Sequence, residues 1–203
     1  MSNIMGRIIF DFWGTLAYLE QGEDFGQGIA NALNISKQEY TKIVMNHWFT
    51  RNQTAQEFAR FLVASKHAAE SLIPYLTGLI ESPIPRARLF PDANPSLERL
   101  SADNQLYLVS DTSSIGERII DSLKVRSYFK GVYLSNRFGQ TKSNGLFERV
   151  FEEIGDASNI LVVGDSVESD YLIPRKLGAR SLLMDRSGKH SGFDTIKTLE
   201  EIR

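Results

Sequence analysis

The chain has 203 residues, 42% hydrophobic and 24% charged, enough for one globular domain with room for a small insertion. A formal net charge of −2 argues against a nucleic-acid surface, and the absence of cysteine excludes disulfides, thiolate metal sites and a cysteine nucleophile. No apolar run approaches a membrane span and no basic-then-apolar leader is visible; the expectation is a cytoplasmic monomer or homodimer acting on a small molecule, with no membrane or nucleic-acid partner.

The first informative stretch is Ile8-Ile9-Phe10-Asp11-Phe12-Trp13-Gly14-Thr15-Leu16. Its apolar run reads as a strand buried on both faces, as in a parallel sheet covered by helices. Asp11 then lies at the carboxyl end of that strand, the edge where open α/β sheets bind ligands. A carboxylate there can be a nucleophile, a metal ligand, or a simple cap of the next turn. From about Leu19 to Ser82 only helical spacing is visible. Phe25, Ile29, Ala32 and Leu33 form one face, Tyr40, Ile43, Val44 and Trp48 a second, and Phe58, Phe61 and Leu62 a third. Ser36 with Glu39, and Thr54 with Glu57, read as capping boxes. A fourth helix is expected from about Ala68 to Ile80, and Pro83 and Pro85 end the block.

From Arg86 onward strands and helices alternate. A helix is expected from Pro95 to Leu100, then a strand Leu106–Val109 ending in Ser110-Asp111-Thr112, and a helix Ile115–Leu123. A short strand Val132–Leu134, a helix Leu146–Ile154 and a strand Ile160–Val163 ending in Gly164-Asp165-Ser166 come next. A helix near Pro174, a strand Ser181–Met184 and a terminal helix over Thr195–Arg203 complete the reading. This alternation predicts an α/β fold with a doubly wound parallel sheet. Asp11, Ser110, Asp165, Ser166 and Asp170 then fall at one edge, with Lys142 in a loop after the third strand. Singly each is a turn, cap or surface residue. Together they are what phosphoryl transfer needs: a carboxylate nucleophile, oxygen ligands for a divalent cation, and a lysine and hydroxyl for phosphate oxygens.

In this order the motifs resemble those of the haloacid dehalogenase (HAD) superfamily, most of whose members are phosphatases. Asp11-Phe12-Trp13-Gly14-Thr15-Leu16 resembles the nucleophile motif, Leu108-Val109-Ser110 the second, Lys142 after Gly139-Gln140-Thr141 the lysine motif, and Gly164-Asp165-Ser166-Val167-Glu168-Ser169-Asp170 the acidic motif. The resemblance implies a Rossmann-like core over residues 1–17 and 84–203, with an α-helical cap over 18–83. It also implies Mg²⁺-dependent hydrolysis of a small phosphorylated metabolite through an aspartyl-phosphate on Asp11. Mg²⁺ would be held by Asp11, the Trp13 carbonyl and Asp165, with Asp170 supporting it or orienting Lys142. Lys142, Ser110, Asp111 and Thr112 would meet the phosphate, and Thr15 would help set the turn after the nucleophile.

The sequence departs from that pattern at Trp13, where the family's phosphatases carry an aspartate that protonates the leaving oxygen. An indole has only an N–H to donate and no useful titration, so acid–base help worth about 10²–10⁴ in rate is missing. The family's dehalogenases, which attack carbon and use no metal, carry an aromatic residue there but lack the aspartate that Asp165 supplies. A metal-free site would leave Asp165 crowded against Asp11, which favours the phosphatase reading; a weakly catalytic binder of a phosphorylated ligand is the remaining alternative. Asp111 stands where an uncharged asparagine is common, either turned from the phosphate or serving as a surrogate acid, and Ser143 stands where proline is usual. His47, Trp48, Phe49 and Arg51 of the cap, with Tyr18, are candidates to face the cleft; Arg86 and Arg88 mark the return to the core.

Overall fold

The computed structural model describes residues 6–203. In chain order its elements begin with β1 (Gly6–Phe10) and β2 (Ala17–Leu19), followed by the helices α1 (Phe25–Ala32), α2 (Lys37–Ile43), α3 (Ala55–Ser65) and α4 (Ile73–Glu81). The chain then forms β3 (Ala87–Leu89), α5 (Ala93–Asp103), β4 (Asn104–Ser110), α6 (Ser114–Ser122), β5 (Gly131–Leu134), α7 (Ser135–Phe138) and α8 (Phe147–Ile154). It ends with β6 (Ile160–Gly164), α9 (Ile173–Lys176), β7 (Arg180–Met184) and β8 (Thr195–Ile196).

Six strands make one parallel sheet in the order β5-β4-β1-β6-β7-β8. The order runs outward from β4 to β5, then returns to the other side of β1 with β6, so the topological switch falls beside β1, where such sheets bind ligands. Side chains alternate across the sheet. Ile8, Phe10, Leu106 and Leu108 join one buried cluster, while Ile9, Tyr107, Val109 and Val162 join the other. That double burial is why these strands read as unbroken apolar runs. Phe10 pairs with Leu108 and with Val163, and the Asp11 N–H donates to the Val163 carbonyl at 2.9 Å. This register brings the ends of β1, β4 and β6 to one edge.

Helices α1 to α4 leave the core after β2 and return through β3. These two strands pair antiparallel, Ala17 opposite Leu89 and Leu19 opposite Ala87, and close the neck of the insert. The Thr54–Glu57 capping box forms in full. At Ser36 the hydroxyl accepts from the Glu39 N–H, but the Glu39 carboxylate goes to Lys66 instead. Helix α2 widens into a π-turn over Val44–Trp48. Trp48 is buried and stacks on Phe58 at 4.4 Å, and His47 stacks on Phe61 at 3.4 Å.

Several elements differ from the sequence reading. The β2–β3 ribbon was not expected, because three residues per strand are too few to show a period. Residues 70–72 make a single 3₁₀ turn and α4 starts at Ile73, with Pro74 in its first turn, where a missing N–H costs nothing. Instead of a terminal helix, the β-branched Thr195 and Ile196 extend the sheet beside Leu183 and Met184, and only a 3₁₀ turn over Leu199–Glu201 follows. There the Lys197 and Thr198 N–H groups donate to the Glu201 carboxylate, which closes the turn on itself.

Candidate active site at the carboxyl edge of the sheet

Asp11 leaves β1 with its side chain buried. Lys142, which as an isolated lysine would be expected in solvent, is only 5% exposed, and its Nζ donates to Asp11 Oδ1 at 2.8 Å and to Asp170 Oδ1 at 2.7 Å. Asp170 is buried in the turn after β6, and its second oxygen accepts from the Ser166 N–H at 3.1 Å. Asp165, exposed at the mouth, completes a cluster in which one carboxylate oxygen from each of Asp11, Asp165 and Asp170 lies within 4.8 Å of the others. Burial of a long-stem ammonium among carboxylates is tolerable only because it is paired on both sides.

Two glycines make the crowding possible. Gly14 has φ of +73°, and a Cβ there would lie 2.0 Å from Asp165 Oδ2. A Cβ on Gly164 would lie 2.3 Å from Asp170 Cγ. Any larger residue at either place displaces a carboxylate of the cluster.

The charge balance is uneven. Three carboxylates share one ammonium. Desolvation pushes the Asp11 carboxyl up to about 7; Lys142 opposes the shift, and the charges of Asp170 and Asp165 add to it. Asp165 is raised too, by the protein around it and by Asp170. Burial pulls Lys142 down, but Asp11, Asp170 and Asp111 together outweigh it and hold the ammonium protonated. A group of hard oxygen donors with excess negative charge suits a divalent cation of the Mg²⁺ type.

On the neighbouring strand, Ser110 is fully buried and its hydroxyl has no partner among the described residues. Asp111 turns to the lysine loop, its Oδ1 accepting from the Lys142 N–H at 2.8 Å; its burial raises its pKa. The Thr112 N–H, adjacent to the expected phosphate cradle, already donates to Ser135 Oγ at 2.9 Å. The Thr15 hydroxyl is buried without a partner among the described residues, while the Thr15 carbonyl accepts from Arg186 Nη2 at 2.8 Å. Trp13 is half-buried, packs edge-on to Phe12 and points its Nε1 at Thr112 Oγ1, 3.5 Å away.

Other candidates lie elsewhere. His47 and Arg51 pair with each other on the insert, 2.7 Å between Nδ1 and Nη1. Arg86 donates to the Glu20 and Glu23 carbonyls, Arg88 binds Glu20, and Tyr18 packs on Phe90, so all three brace the neck. Trp48 and Phe49 do line a cavity that also includes Trp13 and Thr112. The sequence reading missed the Asp92–Arg186 pair. Both Asp92 oxygens accept from Arg186 at 3.0 Å, Arg186 lies 3.7 Å over the Phe90 ring, and Asp92 also accepts from the Leu199 N–H at 2.8 Å. It also missed Ser135. Nothing in the local pattern around these residues marks them; their partners are 23 to 171 positions away.

A family model for haloacid dehalogenase-like hydrolases matches residues 5–178. Among curated proteins none matches the chain in sequence. Solved structures share its fold. A HAD phosphatase from Thermococcus onnurineus is 19% identical over 98% of this chain and 96% of its own, with a TM-score of 0.65. A 2-haloacid dehalogenase from Pseudomonas syringae pv. Tomato is 16% identical over 97% and 95%, at 0.69. A HAD family enzyme from Bacteroides thetaiotaomicron, solved with magnesium and inorganic phosphate, is 18% identical over 93% and 98%, at 0.68. With the sheet, the carboxylate cluster and the buried lysine in place, the family match identifies this chain as a haloacid dehalogenase-like hydrolase.

Proposed function

We propose that the chain is a Mg²⁺-dependent phosphatase that works through an aspartyl-phosphate on Asp11. The observation that carries this reading is the buried Lys142 ammonium bridging Asp11 and Asp170, with the Asp165 carboxylate within 4.8 Å of both. Asp11, Asp165 and the Trp13 carbonyl would hold the cation, supported by Asp170. When bound, the cation neutralises carboxylate and phosphate charge so that anion can approach anion.

Asp11 supplies an oxygen to phosphorus. As that P–O bond forms, the bond to the leaving oxygen breaks, and its electron pair departs with the leaving group. Water then attacks the phosphorus of the aspartyl-phosphate, the P–O bond to Asp11 breaks with its electron pair returning to the carboxylate, and the proton lost from the attacking water passes to phosphate or solvent, giving inorganic phosphate. Lys142 offsets charge on Asp11 and on the phosphate, and the unpartnered Ser110 hydroxyl offers a donor to a phosphate oxygen. Trp13 can neither protonate the leaving oxygen nor take a proton from water, so both steps lack acid–base help.

The test is hydrolysis of p-nitrophenyl phosphate and acetyl phosphate with Mg²⁺, comparing the wild type with Asp11→Asn, each with and without EDTA. Activity lost on both changes is the expected result. Equal rates in wild type and Asp11→Asn would overturn the reading. The retained Asp165 tells against a metal-free dehalogenase, which 2-chloropropionate would test.

A further inference from the structure

Between the helical insert and the core lies a cavity of about 390 Å³, within the size range of small-molecule pockets. Trp13 and Thr112 join it to the candidate active site, standing two residues after Asp11 and two after Ser110. The walls are mostly apolar: Phe25, Val44, Met45, Phe49 and Ile119 are among them. At the rim, Lys37 and Asp24 are paired to each other, so neither is left to hold a charged ligand. Tyr40 and Trp48 also line the cavity, each 4% exposed, and the Tyr40 hydroxyl and Trp48 Nε1 have no partner among the described residues. Burial raises the Tyr40 pKa, which keeps its hydroxyl a neutral donor.

We propose that the group released from phosphate is an apolar aromatic body whose oxygen leaves as a stable anion, a phenolate or an aromatic carboxylate. This rests on the phosphatase reading above. Two separate observations converge on it. The walls offer apolar surface and few polar partners, which suits a flat ring and disfavours sugars and nucleosides, whose many hydroxyls would be stranded there. Trp13 gives the leaving oxygen no proton, so departure is fast only when the anion is stable by itself. In the reaction, the new bond runs from Asp11 to phosphorus, the broken bond from phosphorus to the aryl or acyl oxygen, and the electron pair leaves on that oxygen.

The test uses the full chain with Mg²⁺. Acetyl phosphate and benzoyl phosphate have similarly activated leaving groups, and only the second fills the cavity. The expected benzoyl-to-acetyl ratio in kcat/KM is about 10- to 100-fold, from burying one ring, and p-nitrophenyl phosphate should exceed phenyl phosphate strongly. A second readout is independent of turnover. The chain's two tryptophans, Trp13 and Trp48, both line the cavity. In Asp11→Asn, phenyl phosphate should therefore change tryptophan fluorescence saturably, while ethyl phosphate and inorganic phosphate at equal concentration should not. Benzoate in place of phenyl phosphate separates the carboxylate from the phenolate source. A kcat/KM for acetyl phosphate equal to that for benzoyl phosphate, or ethyl phosphate giving the same fluorescence change, would overturn this proposal and leave the phosphatase reading standing. No turnover of any phosphate would overturn both.

Discussion

In the proposed mechanism the indole at position 13 stands where an acid would serve catalysis, and its consequence falls unevenly on the two half-reactions. A good leaving group departs without a proton, so the first step survives. The second step needs water to lose a proton, and no base is present at Trp13 to take it. Dephosphorylation of Asp11 is therefore expected to limit turnover. Rapid mixing with p-nitrophenyl phosphate should show a burst of p-nitrophenolate stoichiometric with protein. Trp13→Asp should remove the burst and raise steady-state kcat by about 10²-fold; an unchanged rate in a folded, Mg²⁺-binding variant would contradict this account of Trp13. Gly14 makes a sharper structural demand. A methyl group there would meet Asp165 Oδ2 at 2.0 Å, on a backbone with φ of +73°. Gly14→Ala should lose Mg²⁺ binding, measured by titration calorimetry, while its circular dichroism stays native.

At the scale of elements, the loop after β1 is held by the loop that leaves β7, two strands away at the same sheet edge. Arg186, just beyond β7, clamps the Thr15 carbonyl, and Asp92, at the start of α5, holds Arg186 and the Leu199 N–H. These are positioning contacts, since neither side chain touches the carboxylate cluster. Asp92→Ala would strand a largely buried guanidinium and one buried N–H, and should cost about 3 kcal/mol in urea unfolding. The lysine loop is braced in the same way by Asp111, whose carboxylate accepts the Lys142 N–H. The β2–β3 ribbon ties the insert to the core at its neck, so the apolar cavity and the carboxylate cluster share one short tether around Trp13 and Thr112.

For the molecule as a whole, the excess of carboxylates makes stability depend on pH and metal together. Asp11 titrates at about 7 in the folded protein against an ordinary 3.8, so between those values the folded state keeps a proton that the unfolded chain has released. That contribution is full below the ordinary value and is lost as pH rises toward 7. Without metal, the protein should melt higher at pH 5.5 than at pH 8, the contribution of this site considered. On the proposed reading Mg²⁺ would compete with the same proton, so its stabilising shift in melting temperature should be small at pH 5.5 and large at pH 8. Equal shifts at both would show that the cation binds elsewhere. Lys142, held protonated by its carboxylate partners, adds no change in this window. No helix among the described residues is long and apolar enough to cross a membrane.

The buried strands, the helical insert and the residues at the sheet edge were legible because each rests on a local rule. Apolar runs mark β1, β4, β6 and β7, capping residues mark α2 and α3, and a glycine after a strand marks the turn at Asp11. The sequence alone therefore placed Asp11, Ser110, Lys142, Asp165 and Asp170 at the ends of neighbouring elements. Tertiary structure decided what those residues do to one another: that Lys142 is buried rather than solvated, that Asp111 braces a loop, and that Arg186 reaches back to Thr15. It also decided the fate of the last residues, where sheet pairing beside Met184 outweighed a helical expectation. The physical reason is common to all of these. Capping and burial patterns act over a few positions, whereas a charge pair or a cavity wall depends on which distant segments the sheet order brings side by side.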